Sequence, residues 1–270
     1  MIWSLLTGRH LLKQLLEEMT DRDGLVVRSL VKHYGKKTAV DELSFSVEKG
    51  GIFALLGPNG AGKTTTLKMI SGLIIPDSGS VVLNGRPASE VRQKVAYVPD
   101  EPTIFPNLSG REYLRYTGRL RGLSRSVIDR RTLLCSRLFE MDGWLDSRSG
   151  SYSHGMIQRV ILSSAFVAKP DLYVIDEPLV GLDPPAAETF WRMVEGAATQ
   201  GAVVIISTHT LSIASIHCRR FGIIHHGKLL HTVTHGELSG GDLQQLFFKI
   251  TGTSPAEVHD YFQRDAALPE

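Results

Sequence analysis

Cysteine is nearly missing. The 270 residues hold two, Cys135 and Cys218, far apart and in no CxxC pairing. That argues against a disulfide framework and fits a reducing compartment. Long apolar runs are missing as well. Nothing approaches the roughly 20 residues that cross a bilayer as a helix, so work at a membrane would need a partner or a position on its surface. A basic excess is missing too. The 30 Lys and Arg face 28 Asp and Glu, a formal net charge of +2, which argues against a dedicated nucleic-acid binder. What is present is ordinary: 42% hydrophobic residues, in a chain long enough for one large domain or two small ones.

The chain is organised around Gly57-Pro58-Asn59-Gly60-Ala61-Gly62-Lys63-Thr64-Thr65. The apolar run Ile52–Leu56 before it reads as a buried strand, and Thr66–Ile70 after it reads as a helix. Strand, glycine loop and helix are the context of a phosphate-binding loop. The glycines let backbone N–H groups converge on one hollow, and the helix N-terminus adds its positive dipole end. Lys63 can reach outer phosphates, and the Thr64 hydroxyl can ligate Mg2+. The chain therefore binds a nucleoside triphosphate.

Around this loop the pattern alternates strands and helices. Residues 1–22 repeat Leu, Ile and Met at helical spacing with charges between them. This amphipathic helix packs on its own domain or docks on a membrane partner or interface. Leu25–Val31 and Leu43–Val47 are β-rich. Tyr34, just past the first run, is a turn aromatic or a ring that stacks on a base. Val81–Leu83 with Asn84-Gly85 reads as strand and hairpin turn. Lys94–Val98 is a strand ending at Pro99-Asp100-Glu101-Pro102. From Ser109, an N-cap with Glu112 three residues on, to about Phe139 the chain is helical and rich in Arg. It reads as a solvated basic face over a core of Tyr113, Leu114 and Leu120. His225, His226, His231 and His235 straddle a hairpin turning at Gly227-Lys228, and alternation would split them between faces, against a metal site.

A second cluster of chemistry follows. Ser151–Met156 precedes a helix, Ile157–Ala168. Leu172–Ile175 is a buried strand ending in Asp176-Glu177. On a strand beside the loop's own strand, Asp176 could hold Mg2+ through water, and Glu177 could polarise an attacking water. Gly181-Leu182-Asp183 turns into another helix, and the strand Ala202–Ile206 ends at Ser207-Thr208-His209. Several strands thus deliver polar residues from their C-terminal ends, where open α/β sheets bind ligands.

Together these residues resemble the ATP-binding subunit of an ABC transporter, from about Leu25 to Leu238. The matching motifs are a Walker A (Gly57–Thr64), a signature-like Tyr152–Met156, a Walker B with its glutamate (Leu172–Glu177), a D-loop (Gly181–Asp183) and an H-loop His209. The resemblance implies an α/β P-loop NTPase (RecA-like) core with an antiparallel β subdomain and an inserted helical subdomain at about 102–168. The ATPase domain would run over residues 23–238, with a helical tail over 239–270. It implies ATP and Mg2+ as cofactors and hydrolysis that powers a separate integral membrane permease subunit from the cytoplasmic face of the membrane. Tyr34 would stack on adenine, and the backbone of Asn59–Thr65 and Lys63 would hold phosphates. Thr64 and Asp176 would serve the metal, Glu177 the water, and His209 the γ-phosphate. Ser153 and Gly155 would close on ATP bound to a second ATP-binding subunit in a head-to-tail dimer.

Two departures stand out. Asp100 occupies a place where the family usually has Gln and adds a carboxylate near the metal. His154-Gly155-Met156 replaces the usual two glycines and Gln. The Tyr-Ser-x-Gly-Met signature, the Pro99–Pro106 segment and Leu243–Phe248 resemble the ABC-2 type, in which exporters predominate. The partner's coupling helix is expected beside Asp100–Leu108. The rival readings are a soluble ABC-type ATPase acting on ribosomes or DNA, and a slow regulatory nucleotide-binding module.

Overall fold

Two β-sheets carry the chain in the computed structural model, which describes residues 24–238 and 243–252. The expected amphipathic extension over 1–22, and the tail beyond 252, lie outside the described residues.

The first sheet is antiparallel. It is built from β1 (Leu25–Tyr34), β2 (Lys37–Val47), β4 (Ser78–Leu83) and β5 (Arg86–Pro87), in the order β2-β1-β4-β5. Asn84 and Gly85 turn between β4 and β5 with φ of 49° and 75°, which is why the tight turn takes Asn-Gly. The second sheet has β3 (Ile52–Leu56), β6 (Val95–Val98), β7 (Leu172–Asp176), β8 (Val203–Thr208), β9 (Arg220–His225) and β10 (Lys228–Thr234), in the order β10-β9-β3-β8-β7-β6. All neighbours are parallel except β9 and β10. The hairpin between those two turns at His226-Gly227, one residue earlier than expected, with φ of 48° and 78°.

The unbroken apolar runs of β3, β7 and β8 follow from burial on both faces. Successive side chains alternate, so each strand feeds two cores. Ala54, Leu56, Tyr173, Ile175, Val204 and Ile206 join one. Phe53, Leu55, Leu172, Val174, Val203 and Ile205 join the other. The first core is covered by α4 (His154–Ala168) and α5 (Pro184–Thr199), the second by α1 (Lys63–Ile70) and the antiparallel sheet. Phe45 of β2 stacks on Phe53 of β3 at 4.7 Å and joins the sheets. Strand order corrects one expectation. β8, not the Asp176 strand, is the neighbour of β3, and β7 lies one place further out.

Helices α2 (Gly110–Leu120) and α3 (Arg125–Leu138) pack on α4. Ser109 closes the expected capping box: its hydroxyl accepts from the Glu112 N–H at 3.2 Å, and Glu112 Oε2 accepts from the Ser109 N–H at 2.8 Å. Leu114 is buried in the core as expected, but Leu120 is 69% exposed. Gly118 and Ile128 instead make the close α2–α3 approach. The basic face also differs from its solvated reading. Arg121 donates to the Val95 carbonyl at 2.9 Å and Arg131 to the Val167 carbonyl at 2.7 Å. These two guanidiniums satisfy strand and helix ends, so part of the Arg run is a clamp. The remaining described helices are α6 (Leu211–His217) and α7 (Leu243–Thr251). Among the described residues no helix is long and apolar enough to cross a membrane.

One acidic side chain fixes the corner beside Tyr34. Asp77 takes the Lys32 ammonium at 2.8 Å and the His33 N–H at 2.6 Å. These bonds pull its carboxyl down to about 2. A carboxyl depressed on folding stabilises fully above its unfolded value and loses that contribution as pH falls through its folded one. The Tm gap between the parent and Asp77→Asn should therefore be widest near neutrality and shrink between about pH 4 and pH 2. Thermal denaturation across that range checks it; a gap independent of pH contradicts it.

Candidate functional site

The glycine loop lies between β3 and α1, at the C-terminal edge of the parallel sheet. Gly62 precedes α1 with φ 108°, and a Cβ there would sit 2.5 Å from the Ala39 carbonyl oxygen. A Cβ on Gly57 would sit 2.4 Å from the Ile224 carbonyl oxygen. Both positions exclude any larger residue. The hairpin turn after β9 braces the loop: the Gly227 N–H donates to the Ala61 carbonyl, and the Gly227 carbonyl accepts from the Asp41 N–H, each at 2.9 Å. α1 starts without a side-chain cap and without an acidic residue in its first turn, leaving its positive end for an anion.

Lys63 is 6% exposed. Its ammonium donates to the Gly57 carbonyl at 2.8 Å and lies 3.7 Å from Glu177 Oε1. Burial lowers its pKa, while the Glu177 and Asp176 carboxylates push the other way. Asp176 ends β7, almost wholly buried. Burial raises its carboxyl, and the hydroxyls of Ser207 and Thr64 oppose that shift. Glu177, the next residue, has φ 45°, a left-handed conformation costing about 1–3 kcal/mol for a non-glycine residue. Its N–H is held by Ser207, and its Oε1 lies 2.9 Å from His209 Nδ1.

These groups surround one cavity of about 350 Å³. Tyr34, Asn59, Gly60, Gly62, Lys63, Thr64, Thr65, Asp100, Asp176 and Glu177 line it, together with Lys37 and Ala39. Gly57, Pro58 and Ala61 form the back of the loop, and His209 reaches the site through Glu177. Tyr34 is 52% exposed at the rim. Asp100 Oδ1 accepts from the Glu101 N–H at 3.0 Å. A larger hollow of about 560 Å³, lined by Lys49, Lys169 and Asp171 among others, contains none of these groups.

Ser153 and Gly155 do not line the cavity. Ser153 caps α4, its hydroxyl accepting from the Met156 N–H at 3.3 Å. Gly155 and His154 pack on Gly181: a Cβ on Gly155 would sit 2.5 Å from the Gly181 carbonyl oxygen, and one on Gly181 2.5 Å from His154 Cδ2. Gln158 donates to the Pro178 carbonyl at 2.8 Å, and Arg159 pairs with Asp183 at 2.6 Å. The start of α4 and the 178–183 loop are one packed unit. Gly155→Ala should cost about 1–3 kcal/mol through overpacking, read as a lowered Tm; an unchanged Tm would contradict this contact.

Two residues have contacts at the site that the sequence alone does not assign. Lys37 faces Tyr34 across the β1–β2 turn, a pairing visible only once the hairpin register is known. Ser207 is opposite Asp176 on β8. Its only signal was a hydroxyl ending an apolar strand.

The donor set suits a hard divalent cation. Asp176 Oδ2 is buried without a partner, the nearby Thr64 hydroxyl opposes the upward shift of the same carboxyl, and oxygen ligands are what Mg2+ takes. Among the described residues no three His, Cys, Asp or Glu side chains form a complete cage, as suits an ion that shares its ligands with phosphates and water.

Comparison with known proteins agrees with this geometry. Residues 40–180 match the family model described as ABC transporter. The Nod factor export ATP-binding protein I of Burkholderia lata is 35% identical over 86% of this chain and 78% of its own length. The linearmycin resistance ATP-binding protein LnrL of Bacillus subtilis is 35% identical over 81% of this chain and 72% of its own. A solved ATP-binding subunit of an ABC transporter, 32% identical, superposes with a TM-score of 0.76 over 89% of this chain and 99% of that one. A dimeric bacterial ABC transporter cassette, 21% identical, shares the fold with a TM-score of 0.72 over 78% of this chain and 98% of that one. From glycine loop to strand-end carboxylates and on through these relatives, the chain belongs to the ABC transporter family, as one of its ATP-binding subunits.

Proposed function

We propose that this subunit hydrolyses ATP to drive export through a separate membrane-spanning permease, which it meets at the cytoplasmic face of the membrane. The observation that carries the chemistry is the juxtaposition of Lys63, Glu177 and His209 at the mouth of the glycine loop. The Lys63 ammonium donates to the Gly57 carbonyl and lies 3.7 Å from the Glu177 carboxylate. A triphosphate would take over the Lys63 ammonium, leaving the Glu177 carboxylate to accept a proton from water, with His209 orienting it and facing the terminal phosphate. The loop backbone would cradle the phosphates, and Tyr34 would stack on the base. Thr64 and Asp176 would hold Mg2+, with Asp100 as a further carboxylate at the rim. When bound, Mg2+ neutralises charge on the outer phosphates.

Ser153 and Gly155 lie outside the cavity of their own chain, which supports a head-to-tail dimer in which they close on the nucleotide of the second subunit. The names of the relatives, exporters of Nod factor or agents of linearmycin resistance, favour export over the ribosome- or DNA-directed reading. Residues 23–238 would then be the ATPase domain, with its helical subdomain at about 102–168 facing the permease near Asp100–Leu108. Residues 1–22 and 239–270 would be appended segments. Size-exclusion chromatography of Glu177→Gln tests the pairing: dimer with ATP and Mg2+, monomer without. Monomer in both conditions would contradict it.

A further inference from the structure

Ser207 is fully buried at the C-terminal end of β8, between Leu55 of β3 and Asp176 of β7. Its hydroxyl donates to Asp176 Oδ1. The Ser207 hydroxyl oxygen in turn accepts from the Glu177 N–H at 3.2 Å, and the Ser207 carbonyl accepts from that N–H at 3.2 Å. A serine hydroxyl has one donor and two acceptor lone pairs, so this one side chain serves two carboxylate residues at once. On Asp176 it occupies Oδ1, while Oδ2 stays buried without a partner. On Glu177 it grips the N–H of a residue whose φ of 45° needs outside support.

The geometry points to Ser207 as a positioning residue for the hydrolytic site. It selects the Asp176 oxygen offered to the divalent cation, and it locks the Glu177 backbone so that the carboxylate faces Lys63 and His209. This rests on the reading of the cavity as the site of Mg2+–ATP hydrolysis. A serine that only filled space would leave both functions untouched when replaced by alanine, which differs by one oxygen. Removing a residue that orients a metal ligand costs about 10–100-fold in metal affinity or activity.

The test uses the full chain as parent, Ser207→Ala and Ser207→Thr. A fluorescent ATP analogue is titrated with EDTA and then with Mg2+, alongside kcat, KM and Tm. In EDTA, Ser207→Ala should bind like the parent. With Mg2+ it should lose most of the parent's gain in affinity, so that KM rises, and kcat should fall about 10-fold or more. Ser207→Thr, which keeps the hydroxyl, should recover most of both. Should the alanine variant not fold, Ser207→Cys keeps the shape with a far weaker donor and is expected to show the same losses. Parent-like Mg2+ response and kcat in Ser207→Ala would overturn the inference. So would a threonine variant as impaired as alanine with parent-like Tm. A parent that fails to bind the analogue at all, or binds it indifferently to Mg2+, would instead overturn the reading of the cavity.

Discussion

Glu177→Gln is expected to keep nucleotide and lose turnover, with kcat for phosphate release falling about 100- to 10,000-fold, the range of a general base. The substitution keeps shape and one carbonyl oxygen, so the contact with His209 Nδ1 at 2.9 Å has an isosteric replacement. What disappears is the proton acceptor and a negative charge 3.7 Å from Lys63. Loss of that charge removes competition for the Lys63 ammonium, so ATP should bind as tightly as in the parent or more tightly. Phosphate release and nucleotide titration on the same preparations check both halves. A variant that turns over like the parent would support the slow regulatory module and leave Glu177 without a chemical role.

Lys63→Ala should do the reverse and remove binding itself. The Lys63 ammonium is the cation on the glycine loop, held against the Gly57 carbonyl and buried. A hydrogen bond to a charged group contributes about 1.5–3 kcal/mol, so triphosphate affinity should fall roughly 10- to 150-fold, since each 1.4 kcal/mol is tenfold. The loss should be smaller for ADP, which lacks the outer phosphate. Calorimetric titration of both nucleotides reads the difference. Equal, small losses for both would mean that the ammonium stays on its own loop when nucleotide arrives.

The parts legible in the sequence were the local ones. The Gly57–Thr65 loop declares itself because φ above zero and close backbone approach demand glycine at fixed spacing. Asn84-Gly85 and the Ser109–Glu112 cap are likewise matters of a few adjacent residues. The relations that were misread or missed are long-range. The sequence pattern puts Asp176 on a strand beside the loop strand, but β8 intervenes, because an apolar run carries no mark of its neighbour. Ser207 acts across a register between strands separated by a helix, and the hydroxyl that ends its apolar strand does not say which carboxylate lies opposite. Arg121 and Arg131 looked solvated because their carbonyl partners, Val95 and Val167, are distant in sequence. Leu120 looked buried because helical spacing does not say where a neighbouring helix stops; Gly118 and Ile128 make that contact instead.

The most direct test of the transport claim is recovery of Glu177→Gln, tagged and loaded with ATP, from detergent-solubilised membranes of its native cell. A multi-span membrane protein is expected to come with it. That protein, reconstituted with the parent subunit, should raise ATP turnover. Recovery of soluble material alone, with ribosomes or DNA and no membrane protein, would contradict it.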